Sequence, residues 1–154
     1  DVTTTDAAAE LLATRRRGPW VPTRTYTYVG SREEGDSGRQ DVALTPRHSA
    51  GFVGMWEDEE WGRVGLELYY TGRQSLADNP HREFSEPYVI TGFLVERRFG
   101  RARLFLNAEN LLDTRQTAHD PLVLPARSPD GRWTTDVWAP LEGRSFNGGV
   151  RWTF

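Results

Sequence analysis

Apolar and polar residues alternate with period two along three long segments of the chain, 63–73, 101–113 and 144–154. In the first, Val64, Leu66, Leu68 and Tyr70 fall on one side, and Arg63, Gly65, Glu67, Tyr69, Thr71 and Arg73 on the other, because successive side chains of a strand point to opposite faces. Ala102, Leu104, Leu106 and Ala108 repeat the pattern against Arg101, Arg103, Asn107 and Glu109. Weaker alternation covers 23–31, 47–57 and 88–99. Each segment runs roughly ten to thirteen residues, longer than strands of globular sheets and close to what a tilted membrane strand requires.

The closing segment carries the most information. Phe146, Val150, Trp152 and Phe154 share one side with Gly148 between them, and Asn147, Gly149, Arg151 and Thr153 take the other. A soluble sheet shows such alternation, and so does a strand that turns its apolar face to lipid and its polar face to a wet lumen. An aromatic at the last position favours the second reading. The connections support it: 17–19, 58–60 and Gly100 are short, whereas 32–43, 74–87 and 114–141 are long, so short and long links fall at opposite ends of one antiparallel sheet. Aromatics mark both levels, with Trp20, Trp56, Trp61, Phe99, Trp152 and Phe154 near the short turns and Tyr28, Tyr69, Tyr70 and Tyr88 near the long loops. A soluble sandwich with an aromatic core is the alternative. Near the start, Asp6 suits the N-cap of a short helix over 7–12, while 10–16 also reads as one more strand into the Gly18-Pro19 turn; hairpin regularity favours the strand. The expected fold is all-β: an antiparallel, up-and-down, curved sheet of five or six strands, open at both edges and part of a larger transmembrane β-barrel.

Composition narrows the function. The net charge of −3 over 154 residues lacks the imbalance of a nucleic-acid binder, and 37% hydrophobic residues are too many for a disordered tail. No run of eighteen apolar residues exists, which excludes a spanning helix but not spanning strands. Cysteine is absent, which removes disulfides and thiolate chemistry. All 19 cations are Arg; a GC-rich genome explains that, and so does an interior where guanidinium groups meet facing carboxylates. His48, His81 and His119 lie near Asp36, Asp41, Asp78, Glu83 and Asp120, but no two histidines have ligand spacing, so they read as solvated loop residues. The run Glu57, Asp58, Glu59 and Glu60 sits at a tight turn and keeps that end soluble. Gly148 and Gly149 are not followed by a helix, so they form no phosphate cradle and instead let the strand bend. No serine has a nucleophile's neighbours. Catalysis, metals and cofactors are therefore not expected.

The run Leu104-Phe105-Leu106-Asn107-Ala108-Glu109-Asn110-Leu111-Leu112-Asp113-Thr114-Arg115 resembles the penultimate strand of TonB-dependent outer-membrane receptors, where an Asn-Leu-x-Asp motif follows an alternating strand. Leu44-Thr45-Pro46-Arg47-His48-Ser49 resembles their Pro-basic-His element, Tyr69-Tyr70-Thr71-Gly72-Arg73 their aromatic-x-Gly-Arg strand end, and Pro140-Leu141-Glu142-Gly143-Arg144 with the aromatic terminus their closing strand. The four stand in the right order over about residues 20–154. The resemblance implies a 22-stranded barrel with a plugged lumen, in the outer membrane of a Gram-negative-type bacterium, importing a scarce nutrient such as a siderophore, corrinoid or oligosaccharide. Residues 1–154 would then be the carboxyl-terminal portion of the barrel domain, with plug domain and earlier strands absent. Its partners would be outer-membrane lipid, the barrel assembly machinery, a small-molecule ligand, and TonB only through the absent amino-terminal part; nucleic acid is not among them. Phe146, Val150, Trp152 and Phe154 would form the assembly signal. The long outward loop 114–141 is the expected ligand contact, through Arg127, Arg132, Trp133 and Trp138, which combine aromatic faces with cations. Two other classes remain open: a small complete outer-membrane barrel with an adhesin or structural role, and a soluble carbohydrate-binding β-sandwich or β-scaffold enzyme.

Overall fold

The computed structural model describes residues 2–35, 38–77 and 79–154, so Asp36 and Asp78 lie outside the described residues. Eight strands form one antiparallel sheet: β1 (Thr3–Thr14), β2 (Trp20–Gly35), β3 (Gly38–Asp41), β4 (His48–Asp58), β5 (Gly62–Thr71), β6 (Tyr88–Phe99), β7 (Ala102–Glu109) and β8 (Ser145–Trp152). The order across the sheet is β1-β2-β4-β5-β6-β7-β8. β3 pairs with the far end of β2, beyond its pairing with β4. The described sheet is an open meander, with β1 and β8 at its edges.

The count exceeds the five or six strands expected, for two reasons. The Ala-rich start is a strand and not a helix: β1 pairs with β2 over all twelve of its residues, so tertiary pairing overrides local helix preference. The link 32–43 is mostly not a loop, because Arg32, Glu33, Glu34 and Gly35 pair with Asp41, Gln40, Arg39 and Gly38 and extend the hairpin. Helical structure among the described residues is limited to a 3-10 turn at Gln116–Ala118.

The register slips in one direction across the sheet. Trp20, which opens β2, pairs with Trp56, and β4 runs two residues further, to Asp58. Gly62, which opens β5, pairs with Arg97, and β6 again runs two residues further, to Phe99. β7 and β8 end level, with Ala102 opposite Trp152, so the offset belongs to the β2–β4 and β5–β6 pairs; an offset of this kind tilts strands relative to the axis of a closing sheet.

Little of the sheet is buried. The compact apolar cluster lies at the long-loop end, where Leu76, Trp138 and Ala139 pack together and against Tyr88. Gln116, fully buried, holds it: its Oε1 accepts the backbone N–H of Trp138 at 2.8 Å, and its Nε2 donates to the carbonyl of Asp136 at 2.9 Å. Gln74 reaches in from the 74–87 loop and donates to the carbonyl of Trp138 at 3.0 Å.

Candidate functional site: an exposed apolar face opposite an arginine-lined face

Cross-strand partners share a face, so the register sorts every strand residue. One face carries Leu11 of β1, Trp20 and Tyr26 of β2, Phe52 and Trp56 of β4, and Val64, Leu66 and Leu68 of β5, and it continues through Phe93, Val95, Leu104, Leu106, Phe146, Val150 and Trp152. No second layer of described residues covers it. Phe146, Val150 and Trp152 stay more than half exposed, and Leu66, Leu104 and Leu106 are exposed as well. Contiguous exposed apolar patches on soluble monomers usually stay within a few hundred Å², because apolar surface in water is unfavourable.

Aromatics border this face near the short turns. Trp56 and Trp61 meet edge to face at 5.2 Å, and the Arg97 guanidinium lies 4.7 Å from the Trp61 ring and 5.5 Å from that of Phe99. The border at the long-loop end differs from the expected one. Tyr28 and Tyr70 lie on the apolar face together with Tyr26, whereas Tyr69 and Tyr88 turn to the opposite face because they sit one residue out of phase. Tyr26 Oη lies 2.7 Å from His48 Nδ1, which gives that border a polar tip.

The opposite face is polar and rich in ion pairs. Glu96 is only 4% exposed, and its carboxylate meets Arg103 at 3.1 Å and Arg63 at 3.6 Å. Arg98, Arg103 and Arg151 stand directly opposite one another on β6, β7 and β8. Like charges in such a row repel. The row is held by Glu96 and by the carbonyl of Glu59, to which Arg98 donates at 3.0 Å. With Arg16, Arg63, Glu57 and the Asp58 turn, these residues line a cavity of about 770 Å³ at the short-turn end. Arg16 and Glu57 pair there at 3.1 Å. The acidic run thus divides: Asp58 closes its turn by accepting the N–H groups of Glu60 and Trp61 at 3.0 and 2.7 Å, and Glu57 faces the cavity.

The loop candidates separate in space. Trp138 is 3% exposed and lies in the apolar cluster, with the Arg82 guanidinium 5.8 Å from its ring and the His119 ring 5.8 Å away. Arg82 itself bridges Asp120 and Glu86, each at 2.7 Å. Trp133 is 53% exposed, and the Arg127 guanidinium stacks 5.1 Å over it. Arg132 pairs with Asp130 and with Asp136 within the same loop. Of the proposed assembly residues, Phe146, Val150 and Trp152 share the apolar face, and Phe154 lies exposed just beyond β8. The histidines stay apart, and no group of three His, Asp or Glu side chains among the described residues is placed to hold a metal.

Sequence reasoning missed what the Asn-Leu-Leu-Asp run does. Asn110 and Asp113 both adopt left-handed backbone, with φ of 49° and 58°. The Asn110 amide donates to the carbonyls of Thr114 and Glu142, and its Oδ1 accepts the Thr114 N–H at 2.9 Å. Asp113 accepts from the Arg115 guanidinium at 2.7 Å and from the Arg144 N–H at 3.3 Å. The Arg115 hydrogen bond first, and then the Arg144 N–H, hold the Asp113 carboxyl below the usual aspartate range despite an opposing desolvation effect. Asn and Asp are the non-glycine residues that tolerate left-handed backbone, and that preference was the available signal.

Comparison with protein-family models, with curated proteins and with solved structures returned no match.

Proposed function

We propose that the chain is the carboxyl-terminal barrel segment of a TonB-dependent outer-membrane receptor that imports a scarce nutrient. The observation that carries this reading is the single sheet with a mainly apolar face that no second layer of described residues covers on one side, and arginine–carboxylate pairs on the other. Such a sheet is stable where lipid covers the first face and a wet lumen meets the second. The two-residue stagger at the β2–β4 and β5–β6 pairs supports closure into a barrel, as do the open edges of β1 and β8, whose free backbone groups would pair with further strands. The nutrient-receptor part of the reading rests on the four ordered sequence elements. The Arg127–Trp133 stack offers a ring-bearing or anionic ligand an exposed platform on the long-loop side.

Residues 1–154 contain no cysteine, so a single cysteine introduced there is the one labelling site within this segment. In the protein isolated from membranes, spin labels at Leu104→Cys and Leu106→Cys should collide with oxygen dissolved in lipid. Labels at Arg103→Cys and Asn107→Cys should collide with a water-soluble nickel complex. Equal water accessibility on both faces, or purification without detergent, would overturn the membrane reading. A sandwich would instead shield the first two positions from both probes.

A further inference from the structure

Arg15, Arg16 and Arg17 are consecutive, yet the strand alternation splits them. Arg16 turns to the polar face and pairs with Glu57. Arg15 and Arg17 turn to the apolar face, where the Arg15 N–H donates to the Pro22 carbonyl at 3.1 Å and Arg17 bridges to Trp20. Arg24 joins them on that face, opposite Ala13 on β1 and Phe52 on β4. Arg15, Arg17 and Arg24, with Ala13, Trp20 and Pro22, line a cavity of about 660 Å³. Ala13 and Pro22 are short, and the Phe52 ring lies over Gly54 opposite Pro22, so the cavity that the three arginines line is bordered by apolar groups.

Their charges are uncompensated. Most arginines of the chain meet a carboxylate, a backbone carbonyl or an aromatic ring, but no side-chain partner of these kinds meets Arg15, Arg17 or Arg24 among the described residues. The strand acids on the apolar face, as sorted by the register, are Asp58, spent on its own turn, and Glu34 and Asp41, at the opposite end of the sheet. Three unneutralised cations facing a low-dielectric surface are costly unless an anion comes with that surface.

We propose that Arg15, Arg17 and Arg24, with Trp20 beside them, bind the phosphate headgroup of an anionic phospholipid in the leaflet at the short-turn end. This rests on the membrane-barrel reading above. A phosphodiester offers the paired oxygens that guanidinium forks match. The apolar band continues directly from the cavity through Leu11, Tyr26, Phe52 and Leu68, a track for the acyl chains of the same molecule. The long arginine stems lie along apolar surface while their heads reach the interface that Trp20 marks. That continuity favours lipid over free phosphate, which has no use for an apolar track.

The test uses the full-length protein extracted from membranes and reconstituted into nanodiscs of phosphatidylcholine with or without phosphatidylglycerol. Fractionation and face labelling come first, and their failure refutes the barrel reading itself. Given a membrane protein, retained phosphatidylglycerol is measured by native mass spectrometry for wild type, for Arg15→Gln, Arg17→Gln and Arg24→Gln singly and together, and for Arg16→Gln. Retention should fall by about fivefold per arginine removed, as for basic groups at an anionic surface. Arg16→Gln, on the other face, should retain lipid as wild type does. Wild-type retention in the triple variant overturns the proposal, and so does an equal loss in Arg16→Gln. Displacement of the lipid by millimolar inorganic phosphate assigns the site to free anions and overturns it too.

Discussion

Asn110 donates from its side-chain amide to the backbone carbonyl of Glu142 at 3.1 Å, joining residues 32 positions apart. The same side chain holds both backbone groups of Thr114, and the Leu111 N–H donates to the Thr91 carbonyl at 3.0 Å, so the clasp is anchored on β6. A loop this long is tolerated because closure entropy grows slowly with length, but its ends must be fixed once. Asn110 does so from left-handed backbone. Asn110→Ala removes the hydrogen bonds and adds left-handed strain, and should cost about 2–3 kcal/mol. Limited proteolysis should then cut within 114–141 at protease levels that spare wild type. An unchanged digestion pattern would show that the apolar cluster alone holds the loop.

Asp113 makes the same closure sensitive to acid. Its folded carboxyl is depressed by the Arg115 hydrogen bond, so its contribution is present above the unfolded aspartate pKa of about 3.9 and lost as pH falls through the lower folded value. Wild-type loop protection should therefore persist to about pH 4 and decline below it. Asp113→Asn keeps the left-handed backbone available but loses the charge. Amide exchange in the loop should be faster in that variant at neutral pH, and its acid-dependent component should shrink. Identical pH profiles for the two proteins would remove Asp113 from the clasp.

Glu96 is the shared anion of the polar face. Glu96→Gln leaves Arg63 and Arg103 without a carboxylate and increases repulsion with Arg98 and Arg151 across the row. Because both arginines are nearly half exposed, the cost is well below that of breaking a fully buried pair, about 1–2 kcal/mol. Urea titration of the protein in detergent micelles should move by that amount, and the difference should shrink at high salt. A salt-independent shift would assign the effect to packing.

How far the sequence reveals this molecule depends on the range of each interaction. Strands β4 to β8 and their apolar positions follow from alternation, since period two is local and each strand carries it. β1 was ambiguous because Ala7 to Ala9 satisfy a helix locally, and only pairing with β2 decides. Tyr69 follows the alternation onto the polar face, whereas Tyr88 is placed by its level beside the long loops and not by phase, which leaves its face unread. Glu96 drew no attention in a segment read for its apolar residues, and its importance comes from Arg63 and Arg103 on neighbouring strands. The separation of Trp138 from Trp133 depends on Gln116 and Gln74, which reach across 22 and 64 residues. No local pattern contains that information.

Gly149 faces Phe105 across the β7–β8 pair, and a Cβ on Gly149 would stand 2.8 Å from the Phe105 ring. The ring therefore lies over the space the glycine leaves, which covers bare backbone on the polar face. This gives Gly149 a more specific role than letting the strand bend. Gly149→Ala should force the ring off its rotamer and cost about 1–2 kcal/mol. In Phe105→Leu, whose side chain is smaller and lacks the ring, the same alanine should be tolerated or slightly stabilising, because alanine costs less backbone entropy than glycine. Stabilities of wild type, both single variants and the double variant in one detergent form a closed cycle, and the expected coupling is about 1 kcal/mol or more. Additive effects within a few tenths would mean that Phe105 has a second place to go, and the glycine would then be explained by bending alone.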